Sequence, residues 1–226
     1  VLGSLTIDGT ATDSMTLDHG ANTLHTNTLT IGSGGTGHYA LSGTGALTID
    51  ADFVLADDGI ATVTQTAGSA GVGGNLLLGN GGLGSGTYTL SGGSLTVTGT
   101  SSVGAGGTGS FVQTNADGDS THTTGTLVLG AVAGSTGSYA LTDTFSGFAL
   151  SLDVAGDTIV GGDGTGTFTQ DGGAVTSNAL YLGGGPNPPY TSIAANGTYT
   201  LSAGTLTTNA TNVGNNGSGI FQQSGG

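Results

Sequence analysis

The sequence predicts an all-β chain wound as a parallel β-helix, a β-solenoid with three short strands in each coil of about 24 residues. Three observations lead there. Similar phrases return at a nearly constant interval, each phrase alternates apolar with small polar residues, and glycine-rich turns such as GSGGTG, GAGGTG and GNNGSG separate the phrases. The 226 residues read as one domain of about nine coils, with insert loops at 115–125 and 184–197.

The first strand of the unit carries an apolar anchor. Met15, Tyr39, Val63, Tyr88, Phe111, Tyr139, Phe168, Tyr199 and Phe221 follow one another at intervals of 24, 24, 25, 23, 28, 29, 31 and 22 residues. Two positions on runs a second column: Leu41, Gln65, Leu90, Gln113, Leu141, Gln170, Leu201 and Gln223. Tyr-x-Leu thus alternates with Phe-x-Gln, which suggests a natural unit of two coils. With both columns facing inward, each Gln lies between two Leu neighbours, and a buried amide must find partners, expected at backbone groups of the adjoining corner.

The next strand is marked by LTI (47–49), LTV (95–97), LSL (150–152) and LTT (206–208). The last is a β-branched or Leu residue followed by glycine, at Gly32, Gly79, Gly104, Gly130, Gly161, Gly183 and Gly214. From that glycine to the anchor the spacing is 7 in four units, 9 in two and 16 in one. Alternation over three to five residues, rich in β-branched and aromatic side chains, reads as strand. So many glycines would penalise any helix. Tyr88, Leu90, Leu95 and Val97 are expected inside, with Thr87, Thr89, Ser91 and Thr96 outside. The glycine ending the last strand supplies a corner at positive φ. A propeller blade needs about 40–45 residues and would split the unit. Nine coils about 4.8 Å apart give a rod of about 40 Å.

Composition excludes several functions. The chain has no Lys, Arg, Cys, Glu or Trp, 49 glycines and a formal charge of −14. Phosphate neutralisation needs cations, so nucleic acid is a poor partner. A Walker loop lacks its lysine. Without cysteine there is neither a disulfide framework nor a thiolate metal site. No apolar run approaches 18 residues, so no span by helix is expected. Trypsin finds no site, which suits an extracellular location among proteases. The opening VLGSLTID suggests a processed form or a segment of something longer.

The phrases LTIGSGGTGHYALSGTG (29–45), SSVGAGGTGSFVQTN (101–115), VGGDGTGTFTQDGG (160–173) and NVGNNGSGIFQQSGG (212–226) resemble the β-strand repeats of bacterial surface and secreted proteins. These are notably autotransporter passenger domains and filamentous-haemagglutinin-like exoproteins. The resemblance implies a right-handed parallel β-helix, export, and a role in adhesion, surface layers or fibres.

Few residues stand out as sites. Asn115, Asp117 and Asp119 alternate around Gly118 in the first insert, together with His122, and form a candidate Ca²⁺ loop, although the order is not that of an EF-hand. A solvated turn is the plainer alternative, with no cofactor. The second insert holds the stiff tip Pro188, Pro189 and Tyr190, a candidate contact with a neighbour or glycan. A third, short insert at 143–147 is expected to be a local bulge. Asp57/Asp58 and Asp50/Asp52 are the carboxylate pairs nearest to a glycosidase arrangement, but each also reads as a polar turn. Outward Thr pairs such as Thr87/Thr89 raise ice binding, weakened by His38/Ala40 and Ser110/Val112 in other coils. No catalytic residues are expected. No capping helix is legible at 4–7 or 220–226, so flanking repeats or end-to-end stacking of identical subunits is expected. The function expected is that of an extracellular structural fibre or surface-layer subunit partnered head-to-tail with itself. The alternatives are an adhesin stalk that binds glycans or cell surfaces and, behind it, a polysaccharide-active β-helix enzyme.

Overall fold

A short segment that alternates apolar with small polar residues can bury its apolar half only as a strand with one face turned inward. Nineteen such strands, every pairing parallel, build the chain in a computed structural model that describes residues 1–10, 13–186 and 189–225. They are β1 (Leu2–Ile7), β2 (Ser14–Asp18), β3 (Thr23–Ile31), β4 (Thr36–Leu41), β5 (Ala46–Ile49), β6 (Phe53–Leu55) and β7 (Ile60–Gln65). There follow β8 (Ser69–Val72), β9 (Leu76–Leu78), β10 (Ser85–Leu90), β11 (Gly93–Val103), β12 (Thr108–Thr114) and β13 (Ser120–Leu129). The last are β14 (Thr136–Thr142), β15 (Leu150–Val154), β16 (Thr158–Val160), β17 (Thr165–Leu182), β18 (Asn196–Val213) and β19 (Ser218–Gln223).

These strands wind into a β-solenoid of about nine coils with three faces. The anchor face stacks β2, β4, β7, β10, β12, β14, the starts of β17 and β18, and β19. A second face holds β5, β8 and β15 with parts of β3, β11, β13, β17 and β18. The third holds β1, β6, β9 and β16 with the ends of the same long strands. In β3, β11 and β13 the second and third faces join in one strand, and β17 and β18 run through all three, so these coils show longer strands than the three short ones expected. In β11 the bend falls at a register shift between Val97 and Thr100.

The anchor column runs in register from Tyr39 through Val63, Tyr88, Phe111, Tyr139, Phe168 and Tyr199 to Phe221. Its first member differs from expectation: Leu17 lies beside Tyr39, whereas Met15 pairs with Gly37 and is exposed. Likewise Leu152, not Leu150, aligns through His122 with Leu95. Both are slips of two residues, which keep every side chain on its own face and so leave the alternation unchanged. The insert at 115–125 is shorter than it reads, because β13 begins at Ser120. Ser91 is buried rather than outward, its hydroxyl bonded to the Asp117 carboxylate of that loop.

The corner glycines Gly32, Gly79, Gly104, Gly130, Gly161, Gly183 and Gly214 all have positive φ, between 61° and 73°. At Gly104 the constraint is double: φ is +72° and an added Cβ would lie 2.2 Å from the Thr136 carbonyl oxygen of the next coil. In the coil of Leu55, Ala56 takes the corner at φ 59°, and in the coil of Ile7 the same position holds Asp8. A corner rule written for glycine alone misses both.

Gly104→Ala is therefore expected to destabilise by more than about 3 kcal/mol, as strain and overlap add. Gly82→Ala, where nothing lies within 4 Å, should stay within about 0.5 kcal/mol of the parent. Urea titrations followed by circular dichroism measure both.

Candidate functional site

The inward side chains decide how one coil seats on the next. Six rings, Tyr88, Phe111, Tyr139, Phe168, Tyr199 and Phe221, stack in order with centroids 4.5–5.6 Å apart. Where the pattern has Val63 instead of a ring, Phe53 from the third face meets Tyr88 edge-on. Stacking at the coil spacing fixes each ring in the plane of its strand, which aims every tyrosine hydroxyl at the neighbouring column.

What it meets there explains the alternation. Tyr88 donates to Gln65 Oε1 at 2.6 Å, Tyr139 to Gln113 Oε1 at 2.5 Å and Tyr199 to Gln170 Oε1 at 2.6 Å. In each case the Gln belongs to the preceding coil. Its amide nitrogen donates onward to backbone carbonyls, Ser94 at 3.0 Å, Ser151 at 2.8 Å and Thr205 at 3.0 Å respectively. The first coil obeys the same rule with a different residue: His19 takes the Gln position, and its Nδ1 lies 2.6 Å from the Tyr39 hydroxyl. A Tyr-x-Leu coil thus always sits on a coil that offers it an acceptor. The corner carbonyls were expected from the sequence; the tyrosine hydroxyl was not, although its strict co-alternation with Gln signals it.

One coil adds a buried relay. Gln113 spends its amide hydrogens on carbonyls, so Tyr139 donates to Gln113 and accepts from His122 Nδ1–H at 3.0 Å. His122 Nε2 is then the acceptor for Ser101 Oγ–H at 3.1 Å, and Ser101 Oγ lies 3.0 Å from Thr124 Oγ1. His122 is wholly buried between Phe111 and Tyr139, not in a turn, and desolvation holds it neutral with a pKa lowered to about 3. Counting back from the corner at Gly130 brings His122 within one position of where Leu95 stands before Gly104. A Ser–His contact sealed in the core cannot reach a substrate; its work is to seat coils.

The other sequence candidates occupy braces. Asn115 is fully buried and ties the 143–149 loop, donating to Asp143 Oδ1 and the Phe145 and Phe148 carbonyls while accepting from Thr144 N and Phe145 N. Asp117 holds Ser91, and Asp119 accepts from Ala149 N at 2.8 Å. The structure gives the three separate partners and does not gather them round one point. Among the described residues no group of three His, Cys, Asp or Glu is placed to hold a metal.

Tyr190 folds back instead of forming a free tip: its ring lies over Gly162 and Gly185, and its carbonyl accepts from Asn216 Nδ2 at 2.7 Å. Burial and the Asp163 charge push its phenol pKa up. Pro189 is exposed, and Pro188 lies outside the described residues. Among the enzyme candidates, Asp52 braces Asn75, Asp57 braces Asn80, and Asp50 pairs with His25 at 2.8 Å.

The final coil differs from those beneath it. Phe221 is only half-buried and Gln223 is exposed, and with Leu201, Gly204, Thr205 and Leu206 they line an open notch. From 172 to 226 the sequence has no charged side chain. No family model matches this chain, and no curated protein or solved structure matches it.

Two outcomes follow from this geometry. Tyr88→Phe and Gln65→Leu should each cost about 1–3 kcal/mol by leaving a buried partner unpaired, while the double variant costs less than the sum of the two, measured by a denaturant double-mutant cycle. Stability should also fall at both ends of the pH scale. Burial raises the pKa of Tyr39, Tyr88, Tyr139 and Tyr199, so above pH 10 the unfolded chain releases protons the folded chain keeps. Each tyrosine then removes up to about 1.4 kcal/mol per pH unit. Below pH 6.5 the unfolded chain binds a proton that His122 refuses until about pH 3, so stability declines through that window. Urea midpoints at pH 4, 8 and 11 check both signs.

Proposed function

We propose that the chain is an extracellular structural rod, a β-solenoid subunit or segment that lengthens end to end by strand-on-strand stacking into a fibre or surface layer. The observation that carries this is the interior column, in which stacked rings and Tyr–Gln pairs join each coil to the next along the length of the chain. A heterologous contact of this kind that does not close produces a filament. The side chains that suggested catalysis or metal binding are engaged in bracing corners, which favours a structural role without an active site or a resident cofactor. With no Lys or Arg and a formal charge of −14, the composition argues against a nucleic-acid partner.

A second role, as a stalk that binds glycans or cell surfaces, is favoured by one feature. Phe145 and Phe148 form an exposed aromatic pair, centroids 5.4 Å apart, on the 143–149 loop at the side of the rod. Such a pair suits the apolar faces of sugar rings.

Negative-stain microscopy across a concentration series separates the two roles. A structural subunit gives rods whose length grows with concentration, and grows further in salt, which screens repulsion between copies of charge −14. Uniform particles of about 40 Å at every concentration would remove the polymer. Glycan-array binding lost on Phe145→Ala with Phe148→Ala would then establish the stalk.

A further inference from the structure

Among the described residues Phe145 and Phe148 are the only aromatic side chains that stand exposed, at 58% and 42%. Their loop, 143–149, runs from β14 to β15 at the corner between the anchor face and the second face, and it is held from beneath. The buried Asn115 side chain accepts from the backbone nitrogens of Thr144 and Phe145, at 2.8 and 3.1 Å. It donates to the carbonyls of Phe145 and Phe148, at 2.9 and 2.8 Å. Asp119 accepts from Ala149 N at 2.8 Å, and Asp143 from Phe145 N at 3.2 Å. These bonds fix the backbone under both rings. The pair is thus in place before a ligand arrives, which removes the ordering cost of binding.

The surroundings of the rings are acidic. Asp117, Asp119, Asp143 and Asp171 are all exposed and come from three successive coils at this one corner. The chain has no Lys or Arg to offset them. Hydrogen bonds among the described residues use only Oδ1 of Asp119 and of Asp143, so the second oxygen of each is open to a donor. Aromatic faces with carboxylates bound beside them suit a ligand that is apolar on one face and positive at its edge.

We propose that this corner binds glycans whose sugars carry protonated amino groups. The proposal rests on the glycan-binding stalk role above and narrows it to cationic amino sugars. The apolar face of a sugar ring lies against Phe145 and Phe148, and its ammonium group donates to Asp119 and Asp143 beside rings that themselves attract a cation. Charge complementarity rejects acidic sugars, which would meet four carboxylates and no cation. A polymer charged at every sugar can continue along the rod from Asp143 to Asp171, whose carbonyl accepts from Asp143 N at 2.9 Å one coil on.

The full chain is titrated, by calorimetry at low salt, with a glucosamine hexamer and with the same hexamer fully N-acetylated. The glucosamine hexamer should bind at least about tenfold more tightly, and added salt should weaken it. Asp119→Asn with Asp143→Asn removes two charges but keeps an acceptor oxygen for Ala149 N and Phe145 N, so the loop stays in place. That variant should cost the glucosamine hexamer about tenfold and leave the acetylated one unchanged. Asp57→Asn with Asp58→Asn removes as much charge at another corner, between β6 and β7, and should change neither. Phe145→Ala with Phe148→Ala should abolish both, with circular dichroism showing each variant folded. Equal binding of the two hexamers overturns the proposal; if that binding still needs Phe145 and Phe148, the glycan-binding role stands. A loss from D57N/D58N as large as that from D119N/D143N overturns it in favour of bulk charge. Binding of neither hexamer also defeats it, and an array of neutral glycans then decides the stalk role separately. A lysine hexapeptide that binds as tightly, with the same need for Phe145 and Phe148, replaces the sugar with a basic peptide and equally overturns the proposal.

Discussion

The hydrogen bond between a buried tyrosine hydroxyl and the glutamine of the coil beneath it is the interaction on which the rest depends. A phenol and an amide cannot both enter an apolar interior unless each finds a partner. Placed alone, either would cost more than its ring or methylene groups contribute. Placed in alternate coils they pair across one strand spacing, and the remaining amide hydrogens reach the corner carbonyls. The interior therefore repeats every two coils, although the backbone repeats every one. Because the bond runs only from tyrosine to the coil before it, the column also has a direction, which backbone ladders alone do not define.

Having no Lys or Arg, the chain cannot brace its corners with ordinary ion pairs, and it uses neutral or singly charged ladders instead. Asp52 holds Asn75, Asp57 holds Asn80, Asp157 holds Asn178, and Asn115 holds Asp143. Each bond links one coil to the next at a turn, as the Tyr–Gln bond does within the core. The single ion pair among the described residues, His25 with Asp50, is substantially exposed and contributes little. Stability thus comes from a continuous apolar and aromatic column with polar groups paired across coils, and it is exposed to pH through the buried phenols and His122 rather than through surface charge.

Much of this was legible in the sequence. The period, the inward columns, the corner glycines and the Gln–Leu neighbours could be counted, since strand alternation and coil length leave few arrangements. Misplacements arose where counting is blind. Slips of two residues at Met15 and Leu150 preserve the alternation, and Ala56 takes a corner that glycine normally fills. His122 was hidden because it stands where the neighbouring coils have Leu, and a histidine beside Asp117 and Asp119 suggests a polar loop. Its burial depends on Ser101 from one coil and Tyr139 from another, contacts that no local window contains. The partners of Asn115 were hidden for the same reason: the atoms that engage it come from 143–149, about one coil away.

A solenoid with a two-coil interior and a one-coil backbone has two different kinds of coil, even though their strands pair alike. Any coil can satisfy the backbone of the one before it, because parallel ladders do not read side chains. Only alternate coils can satisfy its interior. Inside the chain, backbone pairing holds each coil to the next, and the buried Gln selects which coil can follow, since covering it without a hydroxyl leaves a polar group stranded. Specificity here is a penalty placed on the wrong coil rather than a bonus for the right one. Within the column from Tyr88 to Tyr199 successive rings lie within 6° of one another, the packing that this alternation of Tyr and Phe coils enforces.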